Sequence, residues 1–148
     1  MKFFVIFLSF LFAHSAHSVE KPTEFNLEAA QKIVNKAVAC GKKNNWKLSI
    51  AIVNSEGNLM YFHRGDGTYV GSIDGAIDKA KSANAFQRPT KAFADSIKEG
   101  RVGLVTVKDV VANEGGLPIQ IKEKYVGAIG ISGAKAIEDE QCAKIALE

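Results

Sequence analysis

Apolar residues recur along this chain first at helical and then at strand spacing, and each switch marks an element. Leu27, Ala30, Ile33, Val34, Ala37, Val38 and Gly41 fall on one face of a helix that Asn26 is placed to cap and that ends near Asn44. From Trp46 to Val53 the period drops to two, with Leu48, Ile50 and Ile52 on one face and Ser49, Ala51 and Val53 on the other. Ser55-Glu56-Gly57-Asn58 turns the chain into Leu59 to Arg64, which completes a hairpin. Beyond the Asp66-Gly67 turn, Ser72 is placed to cap a second helix carrying Ile73, Ala76, Ile77, Ala80 and Ala83, and Pro89 stops it. Thr90 opens a short third helix with Phe93 and Ile97, closed by Gly100, and Val102 to Val111 reads as a broken strand.

The last third is a second hairpin. Ile119 and Ile121 alternate with Gln120 and Lys122, Lys122-Glu123-Lys124 makes the turn, and Tyr125 to Ser132 returns through Val126, Ala128, Ile129 and Ile131. Gly127, Gly130 and Gly133 thin this return strand. They point either to a backbone, subunit or flat ligand approaching closely, or to a bulged and strongly twisted strand. Glu138 to Leu147 closes the chain as a helix through Cys142, Ile145 and Ala146. The order α-ββ-α-α-β-ββ-α fits an α+β domain with helices packed on an antiparallel sheet.

The first eighteen residues stand outside that pattern. Lys2 precedes a nearly continuous apolar run, Phe3 to Ala13, and Ala16-His17-Ser18 offers small residues where a signal peptidase cuts. Residues 1–18 therefore read as a secretory signal peptide cleaved after Ser18, the alternative being an uncleaved anchor. Residues 19–25 read as a loose mature N-terminus and residues 26–148 as one domain. Export, to the periplasm or the medium, follows. Removing Lys2 takes the 19 basic residues to 18, against 16 acidic ones. That small excess, scattered as Lys42-Lys43, Lys79, Lys81 and Lys122 with Lys124, is no nucleic-acid footprint and reads as solvated helix faces and turns.

Taken together, the first helix, Leu48 to Val53 with Gly57, Arg64-Gly65-Asp66-Gly67, Ala76-Ile77-Asp78-Lys79-Ala80, Arg88-Pro89-Thr90 and Gly127 to Ala134 with Asp139-Glu140 resemble the GlcG/HbpS-type haem-binding family, also called the haem-degrading domain family. The resemblance covers nearly all of the chain after the leader. It implies a profilin-like, five-stranded antiparallel sheet, association into homo-oligomers, and haem as the ligand. The implied activity is capture or buffering of haem, with slow oxidative degradation as an extension. A different class stays open on the same fold: a module that binds another small acid or a corrinoid-type ring, or that contacts a membrane sensor.

Haem needs an apolar slot, optional axial donors, and cations or backbone donors for two propionates. His63 is the histidine that remains after the leader, and it is the candidate iron ligand; the alternative is a solvent-facing or hydrogen-bonded strand histidine. Some relatives place a histidine in the first helix, where this chain has none. Arg64 and Arg88 are candidate propionate clamps, or else ion-pair partners of Asp66 or Asp78. Thr90 would cap its helix whether or not that end also receives an anion. A larger residue is usual in the family where Gly65 stands. Cys40 and Cys142 would have to lie side by side to form a disulfide, an arrangement the resemblance implies; two buried thiols are the other reading.

Enzyme templates are missing. The chain has no P-loop, nucleophile elbow, Cys-x-x-Cys-His or metal-spaced His/Cys set, and Asp74 and Asp78, one helical turn apart, read as solvated or paired with lysine.

Overall fold

The computed structural model describes residues 25–148; the expected leader and residues 19–24 lie outside them. Helix α1 spans Leu27–Asn44 and α4 spans Ala136–Leu147. Between them come β1 (Ser49–Asn54), β2 (Leu59–Arg64), α2 (Gly71–Phe86), α3 (Lys91–Lys98), β3 (Gly116–Ile121) and β4 (Lys124–Ser132). The strands form one antiparallel sheet in the order β2-β1-β4-β3.

The sheet has four strands rather than five. Val102–Thr106 is a short 3₁₀ helix, and bonds from Leu104 N to Arg101 O and from Val107 N to Leu104 O keep the segment local. Asp109 sits in the left-handed region, at φ 65°, which breaks any extended run through Val111. Val102, Val105 and Val107 are exposed.

Opposite faces of the sheet are covered in different ways. Leu48, Ile50, Ile52, Leu117, Ile119, Ile129 and Ile131 pack against Ala30, Val34 and Ala37 of α1 and Cys142, Ala143 and Ala146 of α4. On the other face the buried residues are small, Ala51, Val53 and Ala128 against Ala76, Ala80 and Ala83 of α2, with Phe62 and Ile77 half-buried beside them. Gly130 lies on this face, where a Cβ would drive into the Ala76 carbonyl and the Ala80 amide. Its neighbours behave alike, since a side chain at Gly127 would strike the Val53 carbonyl and one at Gly133 the Lys47 carbonyl. The close partner foreseen at these glycines is thus the chain's own backbone. A bulge between Ile119 and Gln120 adds the local twist.

Two links tie the layers together. Cys40 and Cys142 are bonded, with Cα atoms 5.6 Å apart, so α1 and α4 lie side by side. Lys79 of α2 is buried, and its Nζ donates to Asp139 Oδ2 and to Ile131 O, each at 2.9 Å. Asp139 Oδ1 accepts from Ala134 N at 3.0 Å. Burial pushes the Asp139 carboxyl above its ordinary value, while Lys79 and the Ala134 amide draw it back. Lys79, expected on a solvated face, therefore joins the helix on one side of the sheet to the helix on the other.

Sequence expectations at two caps resolve differently. Asn26 caps α1 by accepting from Ala29 N at 3.0 Å. Ser72 lies inside the first turn of α2, where its hydroxyl donates to Tyr69 O at 2.6 Å and meets Ser49 Oγ at 2.8 Å, fastening the helix start to β1.

Lys79→Met strands the Asp139 carboxylate and is expected to cost about 3–5 kcal/mol in urea unfolding, while Lys79→Met/Asp139→Leu regains much of it. Breaking the Cys40–Cys142 bond, which closes a separation of 102 residues, is expected to cost up to about 4–5 kcal/mol in the chain-entropy account. Denaturation midpoints with and without a thiol reductant measure it.

Candidate functional site

The end of α1 and the hairpin β1–β2 enclose a cleft of about 330 Å³. Its shape follows from local backbone. Asn45, left-handed at φ 58°, and Trp46 turn their amides onto Lys42 O and Gly41 O, which ends the helix and sends the chain back toward β1. Gly65 N donates to Leu48 O at 2.9 Å, and a Cβ at Gly65 would stand 2.8 Å from that same oxygen. Gly65 thus stands where the approach to β1 leaves little room for a side chain.

Into this cleft β2 delivers His63. It pairs in register with Ile50 and so faces the α1 side of the sheet, as does Tyr61 opposite Ile52, while Phe62 packs on the α2 side. Strict alternation would put Met60 with Phe62, but Met60 packs against the α1-side core, because a register shift between Ile52 and Val53 interrupts the alternation. The His63 side chain is half-buried, and its ring has no hydrogen-bond partner among the described residues. Val38, Leu48 and Ile50 give the cleft an apolar floor, and Trp46, Lys42, Lys47, Arg64 and Asp66 line its rim. Arg64 is held by its own turn, Nε donating to Thr68 Oγ1 and Nη2 to Thr68 O, both at 3.3 Å.

Arg88 and Thr90 lie at the other edge of the sheet. Thr90 is fully buried: its hydroxyl donates to Asn113 O at 2.6 Å and accepts from Gly116 N at 3.0 Å, and its amide donates to Gly116 O. The hydroxyl makes no capping bond to α3. A Cβ at Gly116 would meet Thr90 Cγ2 and the Lys79 carbonyl, so this glycine serves a close packing contact. Arg88 is exposed and stacks over the Phe93 ring, 5.6 Å from its centre, and that ring meets Phe86 edge-on. Neither Arg64 nor Arg88 forms an ion pair with Asp66 or Asp78. One chain therefore brings His63 and Arg64 together and holds Arg88 and Thr90 apart from them.

Trp46, Lys42 and Lys47 are the cleft residues that sequence reasoning passed over. Their signal was the run Lys42-Lys43-Asn44-Asn45-Trp46-Lys47 between helix and strand, where an aromatic residue follows a helix stop. Among the described residues no group of three or more His, Cys, Asp or Glu could hold a metal ion. A larger hollow of about 540 Å³ lies between the hairpin turns and is lined by Phe25, Met60, Ile121, Tyr125 and the two lysines Lys122 and Lys124.

A family model described as haem degrading protein HbpS-like matches residues 25–148. Protein GlcG of Escherichia coli (strain K12) is 31% identical over 107 residues, covering 70% of this chain and 80% of that protein. The fold superposes on a double mutant of Streptomyces reticuli HbpS with a TM-score of 0.78 and 30% identity, over 95% of this chain and 96% of that one. It superposes also on a structure described as a PduOC:heme complex, with a TM-score of 0.77 over 84% of this chain and 94% of that one; at 21% identity this is a likeness of fold.

Thr90→Val leaves Gly116 N and Asn113 O without their partner. The expected result is a loss of about 1–3 kcal/mol in chemical denaturation with no change in the emission of Trp46, which stands in the cleft at the opposite edge.

Proposed function

This chain belongs to the HbpS-like haem-degrading protein family, and we propose that it is an exported haem-binding protein that captures or buffers haem in the His63 cleft. The observation that carries this reading is His63 itself: an imidazole with no internal hydrogen bond, between an apolar floor and a cationic rim. Half-buried on the wall of the cleft, the ring makes no hydrogen bond within the fold and is open to a ligand there. An imidazole donor, an apolar wall with Trp46 on it, and Arg64 for a carboxylate together fit the demands of haem. Bound haem would bring the redox chemistry of its iron, and the residues of this chain bind, orient and partly shield it.

The size of the cleft favours exchange over permanent retention. At about 330 Å³ it lies at the low end for ligand pockets, so it takes one edge of a macrocycle and leaves the rest in contact with solvent or another molecule. Shallow burial forgoes part of the apolar contribution, which suits a protein that hands its ligand on. The Cys40–Cys142 bond supports export, because such bonds persist in oxidising compartments.

Haemin titration of the protein recovered from the exported fraction, with Val19 as its first residue, tests both parts. We expect a saturable Soret change together with quenching of Trp46, the sole tryptophan. His63→Ala is expected to shift the Soret maximum and weaken binding about tenfold, or about 1.4 kcal/mol. A linear, non-saturating signal would overturn the haem reading and leave a module for another small ligand or a sensor. A cell-retained chain that still begins at Met1 would overturn export.

A further inference from the structure

The cleft carries more positive charge than an imidazole site requires. Lys42 stands on the last turn of α1, Lys47 on the lead into β1 and Arg64 at the end of β2, so three cations approach one opening from three elements. None of them forms an ion pair with a carboxylate among the described residues. Asp66 is the sole acid lining the cleft, which leaves a net two positive charges around it. Lys47 extends over the turn beside Asp66, where a Cβ at Gly67 would meet its Nζ and the end of its stem. Lys43, next to Lys42, lines instead the groove between α1 and α4, together with Lys36.

We propose that Lys42 and Lys47, acting with Arg64, make the cleft selective for a tetrapyrrole with two free carboxylates, so that it discriminates by charge as well as by ring shape. This charge selection presupposes the haem reading above. Two lysines at the rim reach outward as flexible point charges, whereas Arg64 is fixed by Thr68 and offers a planar surface. Exposed cations contribute modestly one by one and are screened by salt, but several of one sign around a single opening also draw the anion toward it.

The test titrates haemin and haemin dimethyl ester into the wild-type protein, Lys42→Gln/Lys47→Gln and, as a control of equal charge change, Lys36→Gln/Lys43→Gln, following Trp46 quenching. The cleft double variant is expected to bind haemin about five- to tenfold more weakly at low salt, with the gap narrowing as salt rises. The ester should bind all three proteins alike, and the control variant should match wild type. Equal weakening in both double variants, or equal affinity of wild type for acid and ester, would overturn charge selection while leaving the haem site standing. Failure of both haemin and its ester to saturate the wild-type protein would overturn the haem reading and this one with it.

Discussion

Gly130 bears no side chain because the Ala76 carbonyl and the Ala80 amide occupy the space where one would stand. Helix α2 thus rests on the sheet backbone against backbone, a separation that only glycine and alanine permit. Much else follows from that contact. Gly116 repeats it one strand farther out, against the Lys79 carbonyl. So close to the sheet, α2 can send Lys79 past the start of β3 to reach Asp139 on α4, and a buried ion pair joins the outer layers. A pair of this kind adds little net stability over an apolar replacement, yet it penalises any packing in which the two charges miss each other.

The two edges of the sheet serve different ends. At β3, Thr90 N donates to Gly116 O and the Thr90 hydroxyl accepts from Gly116 N, so the start of that edge is tied to the chain after α2. A further bracket comes from Lys91, whose ammonium is held above its ordinary pKa by Glu114 and Asp95. Among the described residues no strand pairs with the outer side of β2, and the cleft opens beside it with a histidine, a tryptophan and three cations around an apolar floor. Thr90 and Gly116 are thus spent on folding at one edge, whereas at the other Arg64 is held by Thr68 and the His63 ring has no hydrogen-bond partner among the described residues.

Much of this was legible in the chain. Helical spacing from Leu27 to Gly41 and alternation from Leu48 to Val53 located α1 and β1, and Asn26 marked the cap. The hairpin at Lys122-Glu123 was equally plain. What sequence could not show depended on contacts far along the chain. Lys79 looks like any lysine on an alanine-rich helix until Asp139, 60 residues later, is seen to face it. Arg88-Pro89-Thr90 carries a binding-site composition, yet Thr90 is buried in bonds to Gly116 and Asn113, and Arg88 lies over the Phe93 ring. The valines from Val102 to Val111 have strand propensity, but no free edge pairs with them, and tertiary context overrides propensity. Family likeness supplied the ligand class, which spacing alone did not.

The disulfide joins a residue near the start of the described domain to one near its end, so every strand, α2, α3 and the exposed stretch around Arg101 and Lys108 lie within one covalent ring. A protease that nicks that exposed stretch opens the ring without releasing a fragment. Both pieces stay tethered through Cys40 and Cys142, and the cleft between α1 and β2 is carried entirely by the N-terminal piece. A single cut there thus leaves the whole lining of the cleft, from Val38 to Asp66, on one uncut length of chain.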